Sequence, residues 1–228
     1  MRYLIVNADD LGASPGTSRG ILEGHTRGIV TSTSLMVETP WSAEGAALGR
    51  AAPRLSVGLH VALPGDGGDV PDADQVRAAL ARQLARFEAL MGRAPTHLDS
   101  HHNVHLDARV LAPFAELARR TGLPLRGHSP VRYYSKFYGQ WAGESHPEHV
   151  SVASLARMLR DEIGEGITEL SCHPGYADPE TASAYSLERE AELRTLCDPR
   201  SRAVLDALGI GLVSYHDLGR LAAVSGGE

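Results

Sequence analysis

Short apolar segments alternate with helical patterns along the chain, and this alternation limits the folds it can adopt. The strand-like segments are RYLIVNAD, IVTSTSLMV, LSVGLHVAL, THLDS, LPLRGH, ITELSCH and GLVSYHDLG, in chain order. Between them lie helical patterns such as QVRAALARQLARFEALMG, whose apolar residues recur every three or four positions. Residues 128–149 lack such a pattern, and PGDGGDVPDAD has the composition of a loop. Strands that alternate with helices form parallel sheets with right-handed crossovers, so we predict an α/β fold.

Polar residues concentrate where the predicted strands end. The clusters are Asp9–Asp10, His60, Asp99–His105, Arg126–His128, His173 and His216. In a barrel the carboxyl ends of all strands meet at one face, whereas an open doubly wound sheet would gather them less completely. We therefore predict one domain over residues 1–228. It is a TIM-like (β/α) barrel of about seven strands, complete or incomplete.

Composition narrows the function classes. A net charge of −6 opposes non-specific binding to nucleic acids and to anionic membrane surfaces. Two cysteines, Cys172 and Cys197, provide neither a disulfide framework nor metal-type cysteine spacing. No segment approaches the roughly 20 apolar residues that span a bilayer, and the chain starts in a strand-like run without a basic leader. We expect a cytoplasmic protein with no membrane span and no nucleic-acid partner. A homodimer is one option for its oligomeric state.

The pair Asp9–Asp10 follows an apolar strand directly and needs compensation, because buried charges are costly without partners. Either aspartate could cap the helix that follows. Ser14 with Pro15 at the first helical position is a better cap, which leaves the two carboxylates for chemistry. We expect two roles for the two acids, one as a metal ligand and the other as a general base.

The segment DSHHNVH, residues 99–105, predicts a metal site. An aspartate with two histidines binds a divalent ion and leaves positions open for water and substrate. His60 ends another strand and is a further candidate ligand. Nitrogen-rich ligand sets favour zinc, while magnesium usually prefers oxygen, so both metals stay open. His173, which precedes a Pro-Gly turn in SCHPGY, is a candidate general acid, whereas Cys172 points the opposite way into the core.

Four motifs in this order, VNADDLGAS, VGLH, PTHLDSHHNVH and CHPGY, resemble those of the YdjC-like carbohydrate deacetylases. That family includes chito-oligosaccharide and hopanoid-biosynthesis deacetylases. The resemblance covers nearly the whole chain. It implies an (α/β) barrel, one divalent metal ion (zinc or magnesium) and removal of an N-acetyl group from an amino sugar.

The resemblance also implies individual roles. Asp10, His60 and His101 match the metal ligands, Asp9 the base and His173 the acid, with His105 as a reserve ligand. The chain departs from the family at Leu11, Glu38 and Asn103, where an aromatic residue, an asparagine and a histidine are usual. The N-acetylated substrate could be a chito-oligosaccharide, a glycolipid or a natural-product amino sugar.

The decapeptide RYYSKFYGQW, residues 132–141, holds five of the twelve aromatic residues of the chain. Aromatic side chains stack on the apolar faces of sugars, and tyrosine and tryptophan add a polar tip. We predict that this segment covers the substrate. The predicted substrate-binding residues are Arg132, Tyr134 and Trp141 in this segment, together with Arg126 before it. The alternative is that these aromatics cover part of the core or form a dimer contact.

Two other functions compete with deacetylation. A metal-dependent sugar isomerase or epimerase would usually need more carboxylate ligands and a lysine, and Lys136 is the only lysine in the chain. A non-catalytic sugar-binding regulator would not need an intact set of acids and histidines. The chain has no phosphate-binding glycine loop, and its set of acids and histidines favours metal-dependent hydrolysis, which is the prediction.

Overall fold

A curled parallel sheet of seven strands runs through the computed structural model, which describes residues 1–63, 71–178 and 184–225 (backbone alone for 222–225). The strands are β1 (Arg2–Leu11), β2 (Ser32–Leu35), β3 (Ser56–Val61), β4 (Leu98–Ser100), β5 (Arg132–Tyr134), β8 (Gly166–Cys172) and β9 (Ile210–Leu212). Two further strands, β6 (Gln140–Trp141) and β7 (Glu144–Ser145), form an antiparallel hairpin. The sheet order is β4-β3-β2-β1-β8-β5, with β9 beside the first residues of β1.

Helices surround this sheet. They are α1 (Pro15–Arg27), α2 (Ser42–Ala51), α3 (Ala73–Met91), α4 (Leu111–Thr121), α5 (Val152–Asp161), α6 (Ser186–Cys197), α7 (Pro199–Leu208) and α8 (Leu218–Ser225). Ser14 caps α1 by accepting the Thr17 N–H, with Pro15 at the first helical position, as predicted. This cap leaves Asp9 and Asp10 free of that task. Of the helices in the described ranges, none is both long and apolar enough to cross a membrane.

The central strand β1 separates an outer core from the barrel interior. Leu4, Val6 and Ala8 pack in the main apolar core, whereas Ile5 belongs to a smaller cluster with Tyr215 and others. Because strand side chains alternate, the odd-numbered positions face inward. The polar residues above Ile5 on the same face therefore lie inside the barrel.

The sheet curls without closing. Its edge strands β4 and β5 are not paired to each other, and a single bridge joins Leu98 of β4 to Leu125. The prediction of an incomplete α/β barrel of about seven strands is confirmed.

Three details of the predicted element order were wrong. The segment LPLRGH forms only the Leu125 bridge, and strand β5 lies in the region predicted to be irregular. The predicted last strand stops at Leu212, after which the chain turns into a 3-10 helix and α8. Helix α7 was missed, although Asp198 caps it and Pro199 occupies its first turn, which are recognisable signals. Most of the predicted loop PGDGGDVPDAD lies outside the described residues.

Candidate active site

An irregularity in β1 brings Asp9 and Asp10 into one site. Between Ala8 and Leu11 the pairing of β1 with β2 shifts, and Asp10 takes a left-handed backbone conformation with φ 74°. Such bulges redirect side chains near functional sites. Both aspartates are buried, at 3% and 2% exposure. In a regular strand they would have pointed to opposite faces.

Three side chains converge on a common point at this end of the barrel. One ligand atom each from Asp10, His60 and His101 lies within 4.8 Å of the others. Asp10 Oδ1 is 3.3 Å from His60 Nε2 and 3.2 Å from His101 Nδ1. One carboxylate oxygen and two imidazole nitrogens are a donor set that suits a divalent transition metal and leaves positions open.

Contacts behind His60 fix the orientation of its ring. His60 Nδ1 is 2.7 Å from Asp99 Oδ1 and 3.1 Å from the Ser34 hydroxyl, so Nε2 faces Asp10. Metal-binding histidines commonly hold their second nitrogen in this way. Asp99, expected at sequence level among the ligand candidates, therefore lies behind the ligand set.

Charge in this pocket favours a cation. Burial works to lower the pKa of His60, but the neighbouring Asp99 and Asp10 carboxylates raise it to about 10. Burial works in the opposite direction on Asp10, yet Arg189 and the two histidines hold its pKa well below the usual range. The carboxylates of Asp10 and Asp99 that stabilise a protonated His60 would also attract a divalent cation.

Arg126 occupies the space beneath the two aspartates. Its guanidinium donates to both Asp9 oxygens at 2.7 and 2.8 Å and to Glu169 at 2.8 Å, and it lies 2.7 Å from Asp99. The side chain is only 1% exposed. Asp9, His60 and Asp99 form a second group with ligand-like spacing, but this guanidinium already bridges its two carboxylates. Arg126 thus holds the Asp9 carboxylate from inside the barrel, and its contact with a substrate stays a prediction.

His173 faces Asp9 from the opposite side of the pocket. Its Nε2 lies 3.9 Å from Asp9 Oδ2, and burial lowers its pKa to about 4 despite the nearby aspartates. Its Nδ1 is buried without a hydrogen-bond partner among the described residues. The backbone of His173 is held instead. Its N–H donates to Glu192, and its carbonyl accepts from Arg189 at 3.3 Å.

Helix α6 supplies site residues that the sequence analysis missed. Arg189 donates to Asp10 Oδ2 at 2.5 Å, and Glu192 is fully buried beside His173. The segment SLEREAELRTLC has the composition of a solvent-exposed charged helix, yet Glu188 and Glu192 are buried while Leu187 is 71% exposed. An arginine and a glutamate three positions apart share one helix face, which was the available signal.

The residues of the aromatic segment lie in several different surroundings, and the substrate contacts predicted for Arg132, Tyr134 and Trp141 stay a prediction. Tyr134 is buried in the apolar core, and Arg132 donates to Glu165 and Thr168 near the start of β8. Trp141 is 43% exposed and stacks on His146. The aromatics at the site come from elsewhere in the segment. Tyr138 contacts the His173 ring edge-on at 5.6 Å, and the Tyr133 ring lies 5.0 Å from the Arg126 guanidinium.

The segment after His101 is sharply kinked. His102 and Asn103 both adopt positive φ angles, of 53° and 52°. Asn103 accepts from Arg126 at 3.1 Å and donates to the Tyr133 hydroxyl at 3.0 Å. His105, the reserve ligand, is turned away from the ligand group, since its ring nitrogens contact the Ser100 hydroxyl and the Arg126 carbonyl.

The chain is similar in sequence to known proteins. A family model described as YdjC-like protein matches residues 3–207. A carbohydrate deacetylase of Geobacillus stearothermophilus is 34% identical over 256 residues, covering 96% of this chain and 99% of the relative. A chitooligosaccharide deacetylase of Serratia marcescens is 32% identical over 258 residues, covering 95% of this chain and 99% of the relative.

Solved structures share the fold. A protein of Enterococcus faecalis V583 named for cellobiose-phosphate cleavage is 28% identical with a TM-score of 0.83, covering 95% of this chain and 98% of its own. A family 4 carbohydrate esterase from Streptomyces lividans, solved in complex with acetate, has a TM-score of 0.60 at 14% identity, covering 94% of each chain. The second likeness concerns the fold alone.

Proposed function

The chain belongs to the YdjC-like protein family, and from this premise we propose that it is a metal-dependent hydrolase that removes the N-acetyl group from an amino sugar and releases acetate. The supporting observation is the convergence of Asp9, the Asp10–His60–His101 group and His173 at one end of the barrel. Its relatives named as carbohydrate and chitooligosaccharide deacetylases point to an N-acetylated saccharide as the substrate.

Asp10, His60 and His101 would hold one divalent ion. When bound, such an ion polarises a carbonyl oxygen and lowers the pKa of water, which answers the weak electrophilicity of an amide. Two nitrogen donors and one oxygen donor favour zinc over magnesium on chemical grounds. Asp99 holds the His60 ring in the orientation that this binding needs.

Asp9 is the proposed general base. Burial acts to raise its pKa, but the charge and hydrogen bonds of Arg126 more than offset this and lower it. The carboxylate is therefore ionised at neutral pH and fixed in orientation by the guanidinium. It accepts a proton from the attacking water and holds that proton weakly.

His173 is the proposed general acid. With a pKa of about 4 it is neutral in the resting protein, so the proton that it delivers has to arrive during the reaction. Asp9, which takes the proton from water, is the neighbouring source, with its Oδ2 3.9 Å from His173 Nε2. One water proton thus reaches the amine nitrogen as the carbon–oxygen bond forms and the carbon–nitrogen bond breaks.

Acetate release tests this proposal. N-acetylglucosamine oligomers are incubated with the protein before and after treatment with a chelator, and acetate and free amine are quantified. We expect equal amounts of the two products, loss of activity after chelation, and recovery on addition of zinc or magnesium. The His60→Ala variant is the matched control and should release no acetate.

Two outcomes would contradict the proposal. Undiminished acetate release by demonstrably metal-free protein would reject the metal dependence. Sugar conversion without acetate would indicate an isomerase or epimerase instead.

A further inference from the structure

The contacts that orient the His173 ring differ from those of most functional histidines. A functional histidine commonly has one ring nitrogen held by a carboxylate or a carbonyl, which fixes its tautomer and direction. Here the buried Nδ1 has no such partner among the described residues, and Nε2 faces Asp9. The direction of the ring therefore depends on its backbone contacts and on the two aromatic rings packed against it.

Glu192 holds the backbone of His173. Its carboxylate accepts the His173 N–H with one oxygen and the Tyr185 hydroxyl with the other, the latter at 2.6 Å. The side chain is fully buried, and burial raises its pKa to about 8 against the effect of these hydrogen bonds. A buried carboxyl is costly, so its retention beside His173 favours a positioning role over simple packing.

Tyr185 connects this carboxyl to the aromatic segment. Its hydroxyl accepts the Gly139 N–H at 2.7 Å, so one oxygen bridges Gly139 and Glu192. Its ring stacks on Tyr138 with centroids 4.5 Å apart and meets the His173 ring edge-on at 5.7 Å. Gln140 adds a hydrogen bond to the Ala184 carbonyl at 2.9 Å.

We propose that Tyr185 is a positioning residue that couples the segment Phe137–Trp141 to the orientation of His173, and this rests on the proposed function. Tyr138, which is 37% exposed, offers its ring to the sugar next to the scissile acetamide. A sugar bound there restrains the position of Gly139. Through their hydrogen bonds, Gly139 restrains the Tyr185 hydroxyl, and this hydroxyl restrains Glu192. His173 is then aimed at the leaving nitrogen while the substrate is in place.

The Tyr185→Phe variant tests this coupling, because it removes the hydroxyl and keeps both ring contacts. Two substrates are compared: an N-acetylglucosamine oligomer, whose amine needs a proton to leave, and 4-nitrophenyl acetate, whose phenolate leaves without one. We expect kcat for the amide to fall on the order of 10- to 100-fold, part of the range for general acid catalysis, with KM little changed. The rate on the ester should stay within about 3-fold of the wild type, because the ester does not use the acid.

Two controls accompany this variant. Tyr3→Phe removes a hydroxyl that contacts the Met1 sulfur at the end of β1 opposite Asp9, and it should leave both rates unchanged. Hydrogen exchange of the Gly139 amide should become faster in Tyr185→Phe and stay unchanged in Tyr3→Phe, which reports the lost bridge without reference to activity. Glu192→Leu, which removes both carboxyl oxygens, should show the same selective loss on the amide.

The outcomes separate this inference from the proposed function. Equal slowing of Tyr185→Phe on amide and ester, or equal rates with the wild type on both, would overturn the coupling. If Tyr185→Phe does not fold, an unchanged ratio of the two rates in Glu192→Leu would overturn it. Wild-type protein that hydrolyses the ester but no N-acetylated sugar would reject the proposed function, whereas the exchange of Gly139 would still report whether the bridge exists.

Discussion

The two walls of the site hold their functional groups by different physics. The strand-end wall is a network of charges, in which Asp9, Asp99 and Glu169 surround the Arg126 guanidinium. The wall formed by α6 mainly uses hydrogen bonds and ring packing, with Glu192 and Tyr185 behind His173. Under the proposed function, the first wall balances charge beside the general base Asp9, and the second orients the general acid His173.

The two walls are expected to respond differently to substitution. Removal of one member of a buried charge network leaves its partners uncompensated, which costs stability as well as activity. Removal of a hydrogen bond behind His173 costs alignment and leaves the charges of the site in place. Variants in the two walls should therefore differ in the kind of damage as well as in its size.

The largest expected effect divides the two aspartates of the strand-end wall. Asp9→Asn should retain bound metal and lose turnover by on the order of 10² to 10⁴-fold, as for a lost general base. Asp10→Asn should instead weaken metal binding, because it removes a ligand. Metal content and kcat are measured on both variants. Full activity of Asp9→Asn would show that Asp9 is not the general base.

The next effect concerns stability. Arg126→Met leaves three buried carboxylates without their cation and should lower the free energy of unfolding by about 3–5 kcal/mol. Arg132→Met, whose hydrogen bonds lie in a more exposed setting, should cost less than about 1 kcal/mol. Urea denaturation measures both. A similar small loss in the two variants would show that the charge network adds little to the fold.

A smaller effect on metal binding is expected at Asp99, which contacts the His60 ring on the side away from Asp10. Asp99→Asn keeps the shape of the side chain but weakens its hold on His60, so metal affinity should fall roughly 10- to 100-fold, as for other groups behind a ligand. Competition with a fluorescent chelator gives the dissociation constant. Asp107→Asn, whose carboxylate pairs only locally with Arg109, is the matched control and should bind metal normally.

The wall formed by α6 predicts a pH effect of definite sign. Burial raises the pKa of Glu192 from 4.5 to about 8, so between these values the folded state holds its proton more tightly than the unfolded state. The stability contributed by this group is therefore full below pH 4.5 and is lost as the pH rises towards 8. Glu192→Gln lacks this loss, and its Tm should rise relative to the wild type from pH 5 to pH 8. A constant difference in Tm across that range would contradict the assignment.

The smallest effects belong to the aromatic segment. Tyr138→Ala should raise KM for an oligosaccharide by several-fold, since stacking of aromatic groups contributes about 0.5–1.5 kcal/mol. Trp141→Ala removes an exposed ring that stacks on His146, and its effect on KM should be smaller. Metal content should stay unchanged in both. A larger effect at Trp141 would restore the original prediction for that residue.

Sequence patterns predicted the fold class, which the structure confirms. Alternating strand and helix patterns, with Ser14–Pro15 and Gly92 marking helix ends, are local signals that neighbouring residues carry. The choice of Asp10, His60 and His101 as metal ligands came from the family resemblance and stays a prediction. The structure brings the three side chains together. The α/β barrel and the convergence of these side chains follow from one rule, that parallel strands end on one face.

The tertiary structure alone decided which polar groups are buried and what faces them. Arg126 lies 117 positions from Asp9 in sequence, and Arg189 lies 179 positions from Asp10. Hydrophobic periodicity shows which face of a helix or strand is apolar. It does not show which charged side chains pair with each other, so contacts between residues this far apart in sequence leave no periodic signal. For the same reason α6 resembled a surface helix. Glu192 is buried where its carboxyl group accepts the backbone N–H of His173, and the crossover connections of the fold bring these two residues together.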